Sequence, residues 1–152
     1  MRDYVRSQIE KSHKCLAAML ADDALLVRVE AAAEACILAL KNSGRVFLAG
    51  NGGSAADAQH IAGEFVGRFA FDRPSLPAIA LTTDTSILTA IGNDYAYDMI
   101  FVRQLQAHAR EGDIFICYST SGQSPSIIYA LREAKKIGAV CIGMTGNRES
   151  PM

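Results

Sequence analysis

The sequence predicts an α/β fold, a doubly wound parallel sheet in a Rossmann-like three-layer sandwich, with a helical hairpin in front of it. Three observations carry the prediction. Four short apolar runs, at 45–49, 77–82, 113–118 and 139–144, alternate with stretches of helical periodicity. The runs are nearly continuous in apolar character, as expected of strands covered on both faces. Two of them end in Gly/Ser-rich turns that open a helix. Alternation of this kind requires right-handed crossovers and places binding sites beyond the carboxyl ends of the strands.

The elements follow in chain order. Residues 1–43 read as two helices, with apolar positions Val5, Ile9, Leu16, Met19 and Leu20 in the first and Leu25, Leu26, Val29, Ala32, Ala33, Cys36, Ile37 and Leu40 in the second. Asp22 or Asp23 is placed to cap the second helix, and Asn42-Ser43-Gly44 to stop it. The stripe Leu25, Leu26, Val29, Cys36, Ile37 and Leu40 exceeds what one small sheet needs as cover, so the hairpin is expected to form a subunit interface. Residues 44–152 form the α/β core. In it the strand 45–49 leads through the turn 51–54 to a helix at 55–66, and the strand 77–82 to a helical turn at 86–91 and a helix at 97–109. The strand 113–118 leads through the turn 119–124 to a helix at 125–137, and the strand 139–144 closes the series.

Length and composition set the outer bounds. A chain of 152 residues is one domain, long enough to bury roughly 68–70% of its unfolded surface. Half the residues are apolar, and 15 Lys+Arg against 16 Asp+Glu leave a net charge of −1, which argues against a nucleic-acid partner. No uncharged stretch approaches the roughly 20 apolar residues of a membrane span, and the N-terminus lacks the apolar region of a signal peptide. Cys15, Cys36, Cys117 and Cys141 are widely spaced in apolar segments and read as buried free thiols of a reducing compartment. The expected location is cytoplasmic.

Chemistry points to the two Gly/Ser loops. Gly50-Asn51-Gly52-Gly53-Ser54 follows the first strand, and Ser119-Thr120-Ser121-Gly122-Gln123-Ser124 the third. Glycine lets the backbone approach an oxyanion, helix N-terminal N–H groups point at it, and hydroxyls donate further bonds, so each loop is a candidate phosphate cradle. The alternative is a pair of Ser/Thr-capped turns. Gly50-x-Gly52-x-x-Ala55 fits a relaxed dinucleotide fingerprint, but the next strand ends in Thr82-Thr83 with Asp84 too far along to take a ribose. Gln123 and Ser124, rather than a lysine, follow Gly122, which argues against a nucleoside triphosphatase.

His60 and Glu64 stand four apart on the helix that the first loop opens, with Ile61, Phe65 and Val66 expected on its core side. The pair reads as a solvated polar contact, as a chelate for a divalent cation such as zinc, or, at Glu64, as a general base. Asn93-Asp94, placed in the connection before residue 97, is a turn signal whose polar groups could meet sugar hydroxyls.

Taken together, the run from Gly50 to Glu64, Arg73-Pro74, Pro77-Ala78-Ile79-Ala80, Gly92-Asn93-Asp94 and Ser119-Thr120-Ser121-Gly122-x-Ser124 closely resemble the phosphoheptose isomerases of the sugar isomerase (SIS) superfamily. The resemblance spans nearly the whole chain and implies an SIS-type sheet. It implies an aldose–ketose isomerase that converts sedoheptulose 7-phosphate to D-glycero-D-manno-heptose 7-phosphate through an enediol, for lipopolysaccharide or other surface glycans. By the same resemblance Ser119, Thr120, Ser121 and Ser124 hold the phosphate, Asn51, Gly52, Gly53 and Ser54 line the site, and Asn93 and Asp94 contact the sugar. His60 and Glu64 correspond to two zinc ligands, Glu64 being also the acid/base residue, and the expected assembly is a homotetramer. Family chains continue beyond the position of Met152 with a strand and a helix carrying the remaining zinc ligands, so half of the metal site is expected outside this sequence. His13 and His108 match neither and read as surface or packed histidines.

A second reading is a non-catalytic SIS protein, one that binds a sugar phosphate or associates with a replication initiator. Such relatives depart from the His-x-x-x-Glu pattern and from Ser-x-Ser-Gly, both of which this chain keeps. The enzyme reading is therefore preferred on site chemistry.

Overall fold

The computed structural model describes residues 1–146 and 149–152. The chain divides into two compact units, Met1–Ala35 and Cys36–Met152. The first unit holds α1 (Arg2–Leu20) and most of α2 (Asp23–Lys41). Asp22 begins the second helix, its Oδ1 accepting from Leu25 N at 2.9 Å. No residue of α1 is buried, and Val5, Ile9, Leu16, Met19 and Leu20 are all exposed; Cys15, expected to be buried, is exposed with them, and of the four thiols Cys117 alone is fully buried.

In the second unit α2 ends where Gly44 N returns to Ala39 O at 2.8 Å, with Ser43 rather than the glycine in the left-handed region. Four parallel strands follow: β1 (Val46–Gly50), β2 (Ala78–Ala80), β3 (Ile114–Ser119) and β4 (Val140–Thr145), in the spatial order β2-β1-β3-β4. Every residue of β1 is buried, whereas β4, at one edge, is mostly exposed. Asp113 ties the sheet's amino end together: its Oδ1 accepts from Arg45 N and its Oδ2 from Arg110 N, each at 2.8 Å.

The helices are α3 (Gly53–Val66), α4 (Thr85–Asp94), α5 (Val102–His108) and α6 (Pro125–Ile137). The chain steps from β1 one way to β2, then crosses back past β1 to β3 and on to β4. With right-handed crossovers this puts α3 on one face of the sheet and α5 and α6 on the other. The reversal makes the gap between the carboxyl ends of β1 and β3 the topological switch point, where ligands of such sheets bind.

Three expectations change in detail. The helix expected at 97–109 is a 3-10 turn at Tyr97–Met99 followed by α5, because Ile100, Phe101 and Val102 are all buried in succession, more of the circumference than one apolar helical stripe covers. The core side of α3 is Ala58 and Ala62, with Ile61 and Phe65 half-buried and Val66 exposed: small side chains let α3 lie close on the sheet. Asn93 and Asp94 are the last two residues of α4 rather than part of a connection, since α4, capped by Asp84 (Oδ1 accepting from Ile87 N, 2.9 Å), runs longer than its apolar spacing indicates. That cap also accounts for Asp84 without a dinucleotide.

The main core joins Phe47, Leu81, Phe101, Leu105, Phe115, Cys117 and Ile127, with Ala130 and Ala134 carrying α6 onto it. Gln104, buried among them, donates to Leu81 O and Ile100 O at 2.9 and 2.8 Å, so its burial carries no unpaired amide N–H cost.

Candidate functional site at the switch point

The strand register aligns the two loops. Gly50 pairs with Tyr118 across β1 and β3, so Asn51 and Ser119 leave neighbouring strands at the same level. A Cβ on Gly50 would run into Ser54, which is why the turn into α3 can be this tight. Gly52, with φ 57° and ψ −122°, is the N-cap of α3, a backbone state that glycine adopts at low cost.

Neither loop caps its helix with a side chain. Gly52 offers none, and the hydroxyl of Ser124, the N-cap residue of α6, shares a hydrogen bond with Ser119 Oγ at 3.2 Å instead of bonding the helix backbone. Asp84 shows what an ordinary cap looks like in the same chain. The capped-turn alternative therefore fails at both loops, and the positive ends of two helix dipoles face the switch point without a side-chain acceptor. Within the second loop Ser119 is buried, Ser124 half-buried, and Thr120 and Ser121 exposed, while Ser121 Oγ accepts from Gln123 N at 3.2 Å. In the first loop Gly52 and Gly53 are exposed, and half-buried Ser54 donates its N–H to Asn51 O at 3.0 Å.

Two residues that the sequence did not mark join the loops. Asn51 Nδ2 donates to Ser126 Oγ at 3.0 Å, and Tyr97 Oη donates to Asn51 Oδ1 at 2.9 Å. Ser126 lies just beyond the serine run, separated from it only by Pro125, and was the more legible of the two; nothing in the local pattern marks Tyr97. Tyr118 also sits here, its hydroxyl pushed up from its ordinary range by burial first and then by the Asp57 carboxylate.

His60 and Glu64 meet as their spacing requires, Nε2 and Oε1 3.2 Å apart, with side chains 73% and 33% exposed. They lie well along α3, which runs antiparallel to the strands. At 1.5 Å per residue, Glu64 stands about 16 Å along the axis from Gly53. The end of α3 is pinned at the amino end of the sheet by Arg73, whose guanidinium donates to Glu64 O (2.6 Å) and Phe65 O (2.9 Å), and by Leu76 N donating to Phe65 O. The pair and the loops are thus on one helix but not in one cluster. As donors to a cation the pair supplies one imidazole nitrogen and one carboxylate, and among the described residues no group of three or more His, Cys, Asp or Glu side chains forms.

Asn93 Nδ2 donates to Asp94 Oδ1 at 2.8 Å, and Asp94 lines a cleft of about 370 Å³ between α4 and α5 together with Tyr95, Arg103 and His108. Among the described residues no hydrogen bond joins Asn93 or Asp94 to either loop; the link from this region to the loops is Tyr97. Gln59, between His60 and the loop, donates to Thr82 Oγ1 at 3.2 Å and fixes α3 to the end of β2.

The SIS domain family matches residues 6–146 of the chain. A phosphoheptose isomerase of Burkholderia pseudomallei (strain K96243) is 62% identical over 149 residues, covering 98% of this chain and 76% of that protein. The chain belongs to the SIS domain family and, within it, to the phosphoheptose isomerases. A phosphoheptose isomerase of Aneurinibacillus thermoaerophilus is 58% identical over 146 residues, 96% of this chain and 74% of that one. Among solved structures, a phosphoheptose isomerase from Francisella tularensis superposes with a TM-score of 0.92 at 36% identity, over 97% of this chain and 76% of its own. One from Neisseria gonorrhoeae gives a TM-score of 0.87 at 41% identity, over 96% and 75%. This member spans about three-quarters of the length of those phosphoheptose isomerases.

Proposed function

We propose that the chain is an aldose–ketose isomerase converting sedoheptulose 7-phosphate to D-glycero-D-manno-heptose 7-phosphate, the first step of activated-heptose synthesis for lipopolysaccharide or other surface glycans. The observation that carries this reading, within a family of phosphoheptose isomerases, is the pair of helix N-termini without side-chain caps that meet at the switch point, flanked by Ser119, Thr120, Ser121 and Ser124. A phosphate seated there anchors one end of the sugar and converts the reaction at the other end into a positioned, effectively unimolecular step. Asn51, Gly52, Gly53 and Ser54 line the sugar side of the seat, with Asn93 and Asp94 contributing contacts to its hydroxyls.

The chemistry belongs to Glu64. Its carboxylate takes the proton from C1 of the ketose, and the released electron pair forms the C1=C2 bond of an enediol as the C2 oxygen takes a proton from water. Protonated Glu64 then returns a proton to C2 while the C1 hydroxyl gives its own to water, leaving the aldehyde. General acid–base catalysis of this kind contributes about 10²–10⁴-fold. His60, with Nε2 3.2 Å from Glu64 Oε1, orients the carboxylate.

His60 and Glu64 would supply two ligands to a zinc ion, which when bound would polarise the sugar oxygens. Among the described residues no third His, Cys, Asp or Glu joins this pair, which is half of such a site.

The proposed assembly is a homotetramer. Leu26, Val29 and Ile37 of the α2 stripe are exposed, as are the apolar residues of α1. The separation of Glu64 from the loops along α3 favours sites shared between copies, with the base of one chain serving a phosphate held by another. A cytoplasmic location accords with four free thiols, and among the described residues no helix is long and apolar enough to cross a membrane. Turnover of sedoheptulose 7-phosphate by the wild-type chain, lost in Glu64→Gln, tests the reading; absence of turnover in the wild type would overturn it.

A further inference from the structure

We propose that Tyr97 and Ser126 are positioning residues that clamp the Asn51 amide in one orientation across the switch point. The clamp has two jaws from distant parts of the chain: Ser126 Oγ accepts from Nδ2 at 3.0 Å, and Tyr97 Oη donates to Oδ1 at 2.9 Å. Asn51 follows β1 immediately and Ser126 lies in the first turn of α6, so the first bond ties the two anion loops to each other. Ser126 is only 2% exposed, which removes water as a competitor on that side, whereas Tyr97 reaches in from the exposed 3-10 turn.

The consequence follows from the inventory of an amide. With one N–H and one lone pair spent on the clamp, Asn51 keeps one donor and one acceptor. The terminal torsion of asparagine is broad and roughly two-fold, so an unclamped amide exchanges donor and acceptor easily. Clamped, it offers a sugar hydroxyl a fixed sense of hydrogen bonding. The substrate side of this inference rests on the isomerase reading; the clamp itself does not.

A second readout, independent of catalysis, comes from Asn51-Gly52. In an asparagine followed by glycine the glycine nitrogen can attack Cγ, expelling Nδ2 as ammonia and forming a succinimide, which water opens to aspartate or isoaspartate. That attack requires the side chain to rotate, and the clamp opposes rotation.

The test compares wild type, Tyr97→Phe, Ser126→Ala and Asn51→Ala, with the two clamp variants also made in the Asn51→Ala background. Ageing the proteins at mildly alkaline pH and mapping Asn51 by peptide mass spectrometry should show faster deamidation in both clamp variants, more so in Ser126→Ala. Kinetics with sedoheptulose 7-phosphate should show KM raised about two- to tenfold, the range of one neutral hydrogen bond, with kcat less affected and no further loss in the Asn51→Ala background. Unchanged deamidation in both variants overturns the clamp whatever the kinetics show, and so does an equal loss of activity with Asn51 already removed. A wild type without turnover whose clamp variants still deamidate faster would sink the isomerase reading and leave the clamp standing. Tyr97→Phe, altering one exposed hydroxyl, keeps the comparison available if Ser126→Ala folds poorly.

Discussion

Arg73 Nη2 donates to the carbonyl of Glu64 at 2.6 Å, nine residues back along the chain, while its Nη1 takes Phe65 O and Pro74 O at 2.9 and 3.0 Å. A guanidinium thus closes the carbonyl end of the helix that carries the proposed base, where a cation also suits the helix dipole. Arg73→Ala should cost about 1.5–3 kcal/mol, the range for hydrogen bonds to a charged group, in urea unfolding. Lysine should recover only part of that, because it cannot fork between two carbonyls. Full stability in the alanine variant would show that the end of α3 is held without the guanidinium, by packing and the Leu76–Phe65 backbone bond.

Glu64→Gln should leave folding intact and remove about 10²–10⁴-fold of turnover, because the amide keeps the shape and loses the basic oxygen. Its melting temperature, taken beside the rate, separates a lost base from a lost fold.

If the base and the phosphate seat come from different copies, mixing should restore activity. Glu64→Gln chains and Ser121→Ala/Ser124→Ala chains, each nearly inactive alone, are expected to recover part of the wild-type rate once co-refolded, since some sites then combine two intact halves. Light scattering on the same samples should give four subunits. No recovery in a mixture shown to contain mixed oligomers would place the base and seat in one chain.

Asp113 is a buried carboxylate with a structural task, accepting from Arg45 N and Arg110 N and so fixing where β1 and β3 begin. Asp113→Ala strands two backbone donors and should destabilise the chain by about 2–4 kcal/mol in chemical denaturation. The isomerase rate per folded molecule should stay near wild type, because the change lies at the edge of the sheet opposite the loops.

Burial, with a smaller contribution from Cys141, pushes the Cys117 thiol up from 9.0 to about 12. The unfolded chain loses this proton near the ordinary value and the folded chain keeps it. Stability from this group is therefore complete below pH 9 and declines as pH rises from there toward 12, with Cys36, Cys141 and Tyr118 shifted in the same direction. Cys117→Ala should flatten that alkaline decline. At neutral pH a thiol reagent should modify exposed Cys15 quickly and reach Cys117 only after unfolding.

Most of the architecture was readable in one dimension because it is written in local chemistry. Continuous apolar runs gave the four strands to within a residue or two of β1, β3 and β4, and Pro125 with the serine run marked the start of α6. Local pattern was less informative where packing decides: α3 buries alanines that carry little periodic signal, and the segment 97–109 breaks because three successive residues turn inward.

For the site, the sequence by itself determined the residue types and their local spacing: two Gly/Ser loops that open helices, and a His and a Glu one turn apart. Three relationships were left to the tertiary structure. The strand order β2-β1-β3-β4 set the two loops side by side at the switch point, Ser124 turned its hydroxyl from its own helix to Ser119, and Asn51 was clamped by Ser126 and Tyr97. The reason is physical: helix periodicity and turn chemistry act over a few residues, whereas the pairing of β1 with β3 and the bond between Asn51 and Ser126 join residues far apart in the chain, whose meeting depends on how the whole sheet is wound.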